Sequence, residues 1–197
     1  MTDRRIVTVP NLISVGRLLC VPLFCWLLFS HHLVAAFVLL AALGATDWVD
    51  GWIARHYDQS SALGKVLDPV ADRVLLLAAA AALLVEGALP VWFAVLVLVR
   101  EGIVAGATLA LAAAGARRID VQWSGKAGTL AVMFALPGFV LLEALHPGAG
   151  RDLVAVATWS FAIGGLVLGY WSLVGYVPLA RAALREGRAD RPREVAA

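Results

Sequence analysis

Six long apolar runs dominate this sequence, at about 11–30, 33–56, 64–86, 90–114, 126–145 and 152–180. A helix needs about 20 mostly apolar residues to cross the hydrocarbon core of a bilayer. Inside that core every backbone polar group must be bonded within its own element. The pattern therefore predicts an all-α, polytopic membrane protein with six transmembrane helices. Composition agrees: of 197 residues, 61% are hydrophobic and 15% charged, with a mean hydropathy of +0.85. A soluble domain carries about half apolar and a quarter charged residues. A soluble globular domain, a disordered chain and a disulfide scaffold are thereby excluded. The net charge of +2 is too small to call for nucleic acid as a partner.

The breaks between runs are short: Ser30-His31-His32, Tyr57 to Ser61, Gly87 to Pro90, Gly115 to Ser124 and His146-Pro147-Gly148. Short connections make sequence neighbours antiparallel. Pro22 and Pro137 mark positions where the first and fifth helices would kink. With both termini in the cytoplasm, twelve basic residues fall on that side: Arg4, Arg5, Arg55, Lys65, Arg117, Arg118, Lys126, Arg181, Arg185, Arg188, Arg191 and Arg193. Only Arg151 falls outside, which satisfies the positive-inside rule. Residues 1–184 read as one membrane domain and 185–197 as a polar, Arg-rich, frayed tail suited to anionic headgroups.

Arg4 and Arg5 before an apolar run resemble a signal peptide. Pro10, Asn11, Ser14 and Arg17 interrupt the run, however, and no small-residue cleavage site follows it, so the first span is expected to be retained. Cys20 and Cys25 lie five apart on different helix faces and read as small hydrophobes rather than a disulfide or metal pair. Gly102 with Gly106, and Gly165 with Gly169, are pairs of small residues one turn apart. Such pairs allow helices to approach closely, within one chain or across a homodimer.

The informative charges are Asp47, Asp50, Asp68 and Asp72. Asp47 and Asp50 are three apart and Asp68 and Asp72 four apart, so each pair shares a helix face. The linker from Asp58 to Leu63 lets the two helices fold back, and all four carboxylates then converge across one hairpin. One aspartate inside a membrane helix costs about 2.5–3.5 kcal/mol. Four would cost on the order of 10 kcal/mol, comparable to the stability of a whole domain. Arg55, Lys65 and Arg73 offset part of this. Carboxylates so close together call for cations between them. Two divalent ions balance the four charges, and all-oxygen ligation selects Mg²⁺, Mn²⁺ or Ca²⁺ over zinc. Gly51, Ala54 and Gly64 keep one wall free of bulk, so a phosphate-bearing ligand could approach the backbone. Two metals at a membrane surface suit phosphoryl transfer at a lipid diphosphate, with a carboxylate at the edge of the cluster as base.

The run Asp47-x2-Asp50-Gly51-x2-Ala54-Arg55-x8-Gly64-x3-Asp68-x3-Asp72 resembles, position for position, the signature of the CDP-alcohol phosphatidyltransferases. Pro10-Asn11-Leu12-Ile13-Ser14 with Arg17 is similar to that family's approach to its first helix, and six helices is the family's count. The resemblance implies transfer of a phosphatidyl group from CDP-diacylglycerol to an alcohol, with release of CMP. It implies that Asp47, Asp50, Asp68 and Asp72 hold two divalent cations, Mg²⁺ or Mn²⁺, and that Asp72 is the general base. Gly51, Ala54, Arg55 and Gly64 would bind CDP-diacylglycerol. It also implies a homodimer in the inner (plasma) membrane, with the active site facing the cytoplasm.

The acceptor is read from the fifth helix. Members of the family that use glycerol 3-phosphate carry Gly-Lys-x-Lys-Thr-x-x-Gln there. This sequence has Gly125-Lys126-Ala127-Gly128-Thr129-Leu130-Ala131-Val132, without the second Lys and the Gln. The segment resembles the cardiolipin synthase branch, as does the aromatic sixth helix from Trp159 to Trp171. Phosphatidylglycerol carries one phosphate charge and needs fewer basic contacts than a phosphomonoester. Cardiolipin synthesis is therefore the first expectation and phosphatidylglycerophosphate synthesis the second. Arg100, Arg117, Arg118 and Lys126 are the candidates for the acceptor phosphate. Arg17, Arg73 and Arg100 lie in apolar runs and either pair with the aspartates or Glu101 or grip phosphate. A divalent-cation transporter is the rival from another class. It would need polar residues across the membrane, whereas these sit toward one face.

Overall fold

The structure, a computed structural model, describes residues 9–57, 64–114 and 122–194. Within them the side chains of 9–11, 47–57, 64–69, 112, 181 and 184–194 lie outside the description. The described chain contains six helices: α1 (Val9–Phe29), α2 (Leu33–Tyr57), α3 (Gly64–Val85), α4 (Val91–Ala113), α5 (Trp123–Ala144) and α6 (Ala149–Glu194). They coincide with the apolar runs to within a few residues except at the end of α6, which continues to Glu194. The frayed tail expected from Arg185 is helical there. Ala, Leu, Arg and Glu, abundant between Ala180 and Glu186, are strong helix formers. Neither Pro22 in α1 nor Pro137 in α5 ends its helix.

The helix ends follow local chemistry. At the end of α1, His31 takes a left-handed conformation (φ 56°). The His31 and His32 amides bond back to the carbonyls of Leu28 and Leu27, each at 2.9 Å, satisfying acceptors that a helix end leaves open. Gly87 (φ 79°) terminates α3 in the same manner, its amide bonding to Leu84. Glycine adopts this conformation without the steric cost that other residues meet.

The chain divides into two compact units. The first comprises Met1–Ala94 and Met133–Ser160. In its core are Phe24 and Leu28 of α1, Ala36 and Leu40 of α2, Leu75, Ala79 and Leu83 of α3, and Leu136 and Val140 of α5. Trp92 stacks on Trp159 with ring centres 5.7 Å apart, and Phe139 meets Trp159 edge-on at 5.2 Å. Gly138 allows a close approach to Thr158, since an added Cβ would lie 2.3 Å from its Oγ1. The second unit comprises Val95–Val132 and Phe161–Ala197. Here α5 and α6 touch through glycines: a Cβ on Gly128 would lie 2.7 Å from the Gly169 nitrogen and 2.9 Å from the Gly165 carbonyl oxygen. Gly165 and Gly169 therefore serve packing within the chain. Gly102 and Gly106 of α4 have open space around them.

Large apolar side chains face outward: Leu19 is 72% exposed, Val85 77% and Trp171 74%. Such a surface is stable in lipid, not in water. Among the described residues, four helices are long and apolar enough to cross a membrane, over Leu12–Phe29, Val91–Leu111, Trp123–Ala144 and Ala149–Ala180. Among the described residues, the apolar stretch of α2 is Leu33–Thr46. The first half of α3 carries Lys65, Asp68, Asp72 and Arg73. Cys20 and Cys25 are both free thiols and half-buried.

Candidate active site

The carboxylates sit on two helices joined by a short linker. Asp47, Asp50, Gly51, Ala54 and Arg55 all belong to α2, and Gly64, Asp68 and Asp72 to α3. The unbroken helix of α2 puts Asp47 and Asp50 about one turn apart, and α3 does the same for Asp68 and Asp72. Of this set the side chain of Asp72 is described. Those of Asp47, Asp50, Gly51, Ala54, Arg55, Gly64 and Asp68 lie outside the described residues, as do Arg117 and Arg118 altogether.

Asp72 is held from α1. The Nη1 of Arg17 donates to its Oδ1, across 55 positions of sequence. The two ends of this ion pair differ in environment: the Arg17 side chain is 1% exposed and that of Asp72 25%. No hydrogen bond from another described residue reaches Oδ2 of Asp72. Ser14, one turn before Arg17, is also buried. Of the two roles open to Arg17 from sequence, pairing with the aspartates is the arrangement seen. Arg73, the next residue on α3, is half-buried and partnered.

An apolar recess lies in the same unit as Asp72. It is small and open, and is lined by Leu40 and Gly44 of α2, Leu75 and Leu76 of α3, and Met133 and Leu136 of α5. Gly44 lies one turn before Asp47, and Leu75 and Leu76 one turn after Asp72.

The second unit holds a separate polar centre. Arg100 is 9% exposed and Glu101 5%, and the two form an ion pair. Arg100 also donates to Thr129 Oγ1 at 2.8 Å and to the Gly125 carbonyl at 3.2 Å. A Cβ on Gly169 would lie 3.1 Å from Arg100 Nε, so the missing side chain makes room for the guanidinium. Ser172, fully buried, donates to the Gly169 carbonyl, and the Tyr176 hydroxyl accepts from the Gln122 amide at 3.0 Å. The bonds to Gln122, Gly125 and Thr129 hold the first turns of α5. Lys126, on the first turn of α5, is exposed. Sequence reasoning did not single out Thr129, Ser172 or Tyr176. The available signal was Thr129 one turn after Gly125, which puts a hydroxyl on the face that Arg100 reaches.

The donor set fits hard divalent cations. It offers only carboxylate oxygens, in two pairs one helical turn apart, and no thiolate or imidazole that would favour zinc. Among the described residues there is no group of three or more His, Cys, Asp or Glu side chains close enough to hold a metal; three of the four aspartates lie outside that set.

The fold defines an all-helical protein with long apolar helices suited to a membrane and carboxylates on two consecutive helices. The sequence profile of the CDP-alcohol phosphatidyltransferases matches residues 7–171. The chain belongs to the CDP-alcohol phosphatidyltransferase family and is an enzyme of phospholipid synthesis. It is 36% identical over 192 residues to the cardiolipin synthase (CMP-forming) of Streptomyces coelicolor, covering 93% of this chain and 87% of that one. A Mycobacterium tuberculosis relative, provisionally named a cardiolipin synthase, is 34% identical over 198 residues, 98% of this chain and 94% of that one. The CDP-diacylglycerol–glycerol-3-phosphate 3-phosphatidyltransferase of Shigella flexneri is 32% identical over 184 residues, 89% of this chain and 96% of that one.

Proposed function

We propose that the protein transfers the phosphatidyl group of CDP-diacylglycerol to phosphatidylglycerol, giving cardiolipin and CMP. The observation that carries the choice of acceptor is the engagement of Arg100 by Glu101, Thr129 and Gly125. A phosphomonoester with nearly two charges favours several free cations. Here the fifth helix already lacks the second Lys of the glycerol-phosphate pattern, and Arg100 is turned to internal bonds. Lys126, Arg117 and Arg118 remain for the single charge of a phosphodiester, with Arg100 holding the start of α5 beside Lys126. The names of the Streptomyces and Mycobacterium relatives support the same reading.

In this reading Asp47, Asp50, Asp68 and Asp72 hold two Mg²⁺ or Mn²⁺ ions. Bound there, the ions would neutralise the diphosphate and stabilise the departing phosphate oxygen. Gly51, Ala54, Arg55 and Gly64 bind the cytidine diphosphate portion, and the recess at Gly44 and Leu75 takes adjoining apolar substrate. Asp72 accepts the proton of the acceptor hydroxyl. The resulting oxygen attacks the phosphorus that carries diacylglycerol, the bond from that phosphorus to the CMP oxygen breaks, and CMP leaves. Six spans, with both termini and the aspartates at the cytoplasmic face of the inner membrane, accord with the distribution of Lys and Arg. Residues 1–184 would form the membrane domain and 185–197 its tail. A homodimer completes the proposal.

The test is incubation of purified protein with CDP-diacylglycerol, Mn²⁺ and equal phosphatidylglycerol and glycerol 3-phosphate, followed by lipid mass analysis. Cardiolipin is the expected product. Phosphatidylglycerophosphate without cardiolipin would move the enzyme to the branch of the Shigella relative.

A further inference from the structure

We propose that Arg17 is a positioning residue for the transfer reaction, holding Oδ1 of Asp72 so that Oδ2 is the oxygen presented to the acceptor hydroxyl. This rests on the reading of Asp72 as general base. The asymmetry of the ion pair carries the inference. An ion pair closed off on both sides would leave no carboxylate surface to meet a substrate. Here the cation is sealed at 1% exposure and the carboxylate is left 25% open. The guanidinium holds one carboxylate oxygen, Oδ1, while a quarter of the Asp72 side chain stays open.

The chemistry explains why an arginine would stand there. A carboxylate at the end of an aspartate turns about two side-chain bonds, and its oxygens exchange places by rotation of the group. A base is effective only while one lone pair stays on the line of the proton. A charge-assisted hydrogen bond is about twice as strong as a neutral one. A donor fixed on a different helix stops that rotation. The cost of a cation within an apolar run is otherwise hard to account for at a position 55 residues from its partner in sequence.

A double-mutant cycle tests the proposal, with full-length protein in liposomes and radiolabelled CDP-diacylglycerol so that residual CMP release is countable. In Arg17→Gln, kcat should fall about 10- to 100-fold, the effect of misplacing a reacting group. KM for CDP-diacylglycerol and its binding constant should stay within about three-fold. Arg17→Lys should recover part of kcat, and it serves as the reporter if the Gln variant does not fold. On an Asp72→Asn background, Arg17→Gln should cause no further loss, because a residue acting through Asp72 has nothing left to position. A folded Arg17→Gln enzyme with unchanged kcat overturns the proposal, as does an equal loss with and without Asp72. If Asp72→Asn alone turns over normally, the base assignment has failed instead, so the two failures are told apart.

Discussion

Arg17 of α1 and Asp72 of α3 form an ion pair whose cation is buried and whose carboxylate stays partly open. The contact joins the first helix to the helix that carries half of the aspartates. It also explains how an arginine persists within the apolar run of α1: its charge is matched where it is most buried. Removing one partner of a buried pair typically costs about 3–5 kcal/mol. Asp72→Asn is the gentler probe, because an amide oxygen still accepts the bond from Arg17.

The Arg100 centre should matter for stability apart from chemistry. Arg100→Ala leaves Glu101 buried without its cation and should destabilise the protein by about 3–5 kcal/mol. Thr129→Val removes one acceptor from the guanidinium and should cost about 1 kcal/mol. Thermal unfolding in detergent reads both. An Arg100→Ala protein as stable as the parent would contradict the assignment.

The glycines divide into two classes. Gly128→Ala places a Cβ 2.7 Å from the Gly169 backbone nitrogen and should destabilise by about 1–3 kcal/mol through overpacking. Gly102→Ala and Gly106→Ala meet nothing within 4 Å and should be neutral or gain up to about 1 kcal/mol in helix propensity. Unfolding midpoints for the three single variants check this contrast. Equal losses at all three positions would defeat it.

Activity should depend on hard divalent cations. EDTA is expected to abolish CMP release, and Mg²⁺ or Mn²⁺ to restore it, whereas Zn²⁺ should not. Full turnover in excess EDTA would remove the two-metal reading.

Orientation is open to thiol labelling in a Cys20→Ser, Cys25→Ser background. Ala114→Cys, after α4, should react only when reagent reaches the cytoplasmic side. Gly150→Cys, at the start of α6, should react from the opposite side. Labelling of both from the same side would refute the proposed six-span orientation.

Much of this architecture was legible in the residues. The helices follow the apolar runs because lipid leaves a backbone few alternatives, and the turns at His31 and Gly87 fall where those runs break. The aspartate spacing at 47, 50, 68 and 72 identified both the family and the helices concerned, since charges in such places need a reason. Other features depended on contacts that no local pattern encodes. Arg17 meeting Asp72 rather than phosphate is decided by how α1 packs on α3. The turn of Arg100 toward Thr129 and Gly125 is decided by the close α5–α6 contact in its unit. The length of α6 is not legible from its charge, since Ala, Leu, Arg and Glu carry a helix well in water. The spacing of Gly165 and Gly169 suits packing within the chain or across a dimer, and the Gly128 backbone lies against both.

The central claim is that Asp72 removes the acceptor's proton during phosphatidyl transfer. Its most direct test is CMP release by purified Asp72→Asn protein, measured beside its binding of CDP-diacylglycerol. The account predicts binding within about three-fold of the parent and CMP release lower by about 10²- to 10⁴-fold, the usual contribution of a general base. Normal CMP release from a folded Asp72→Asn enzyme would contradict it.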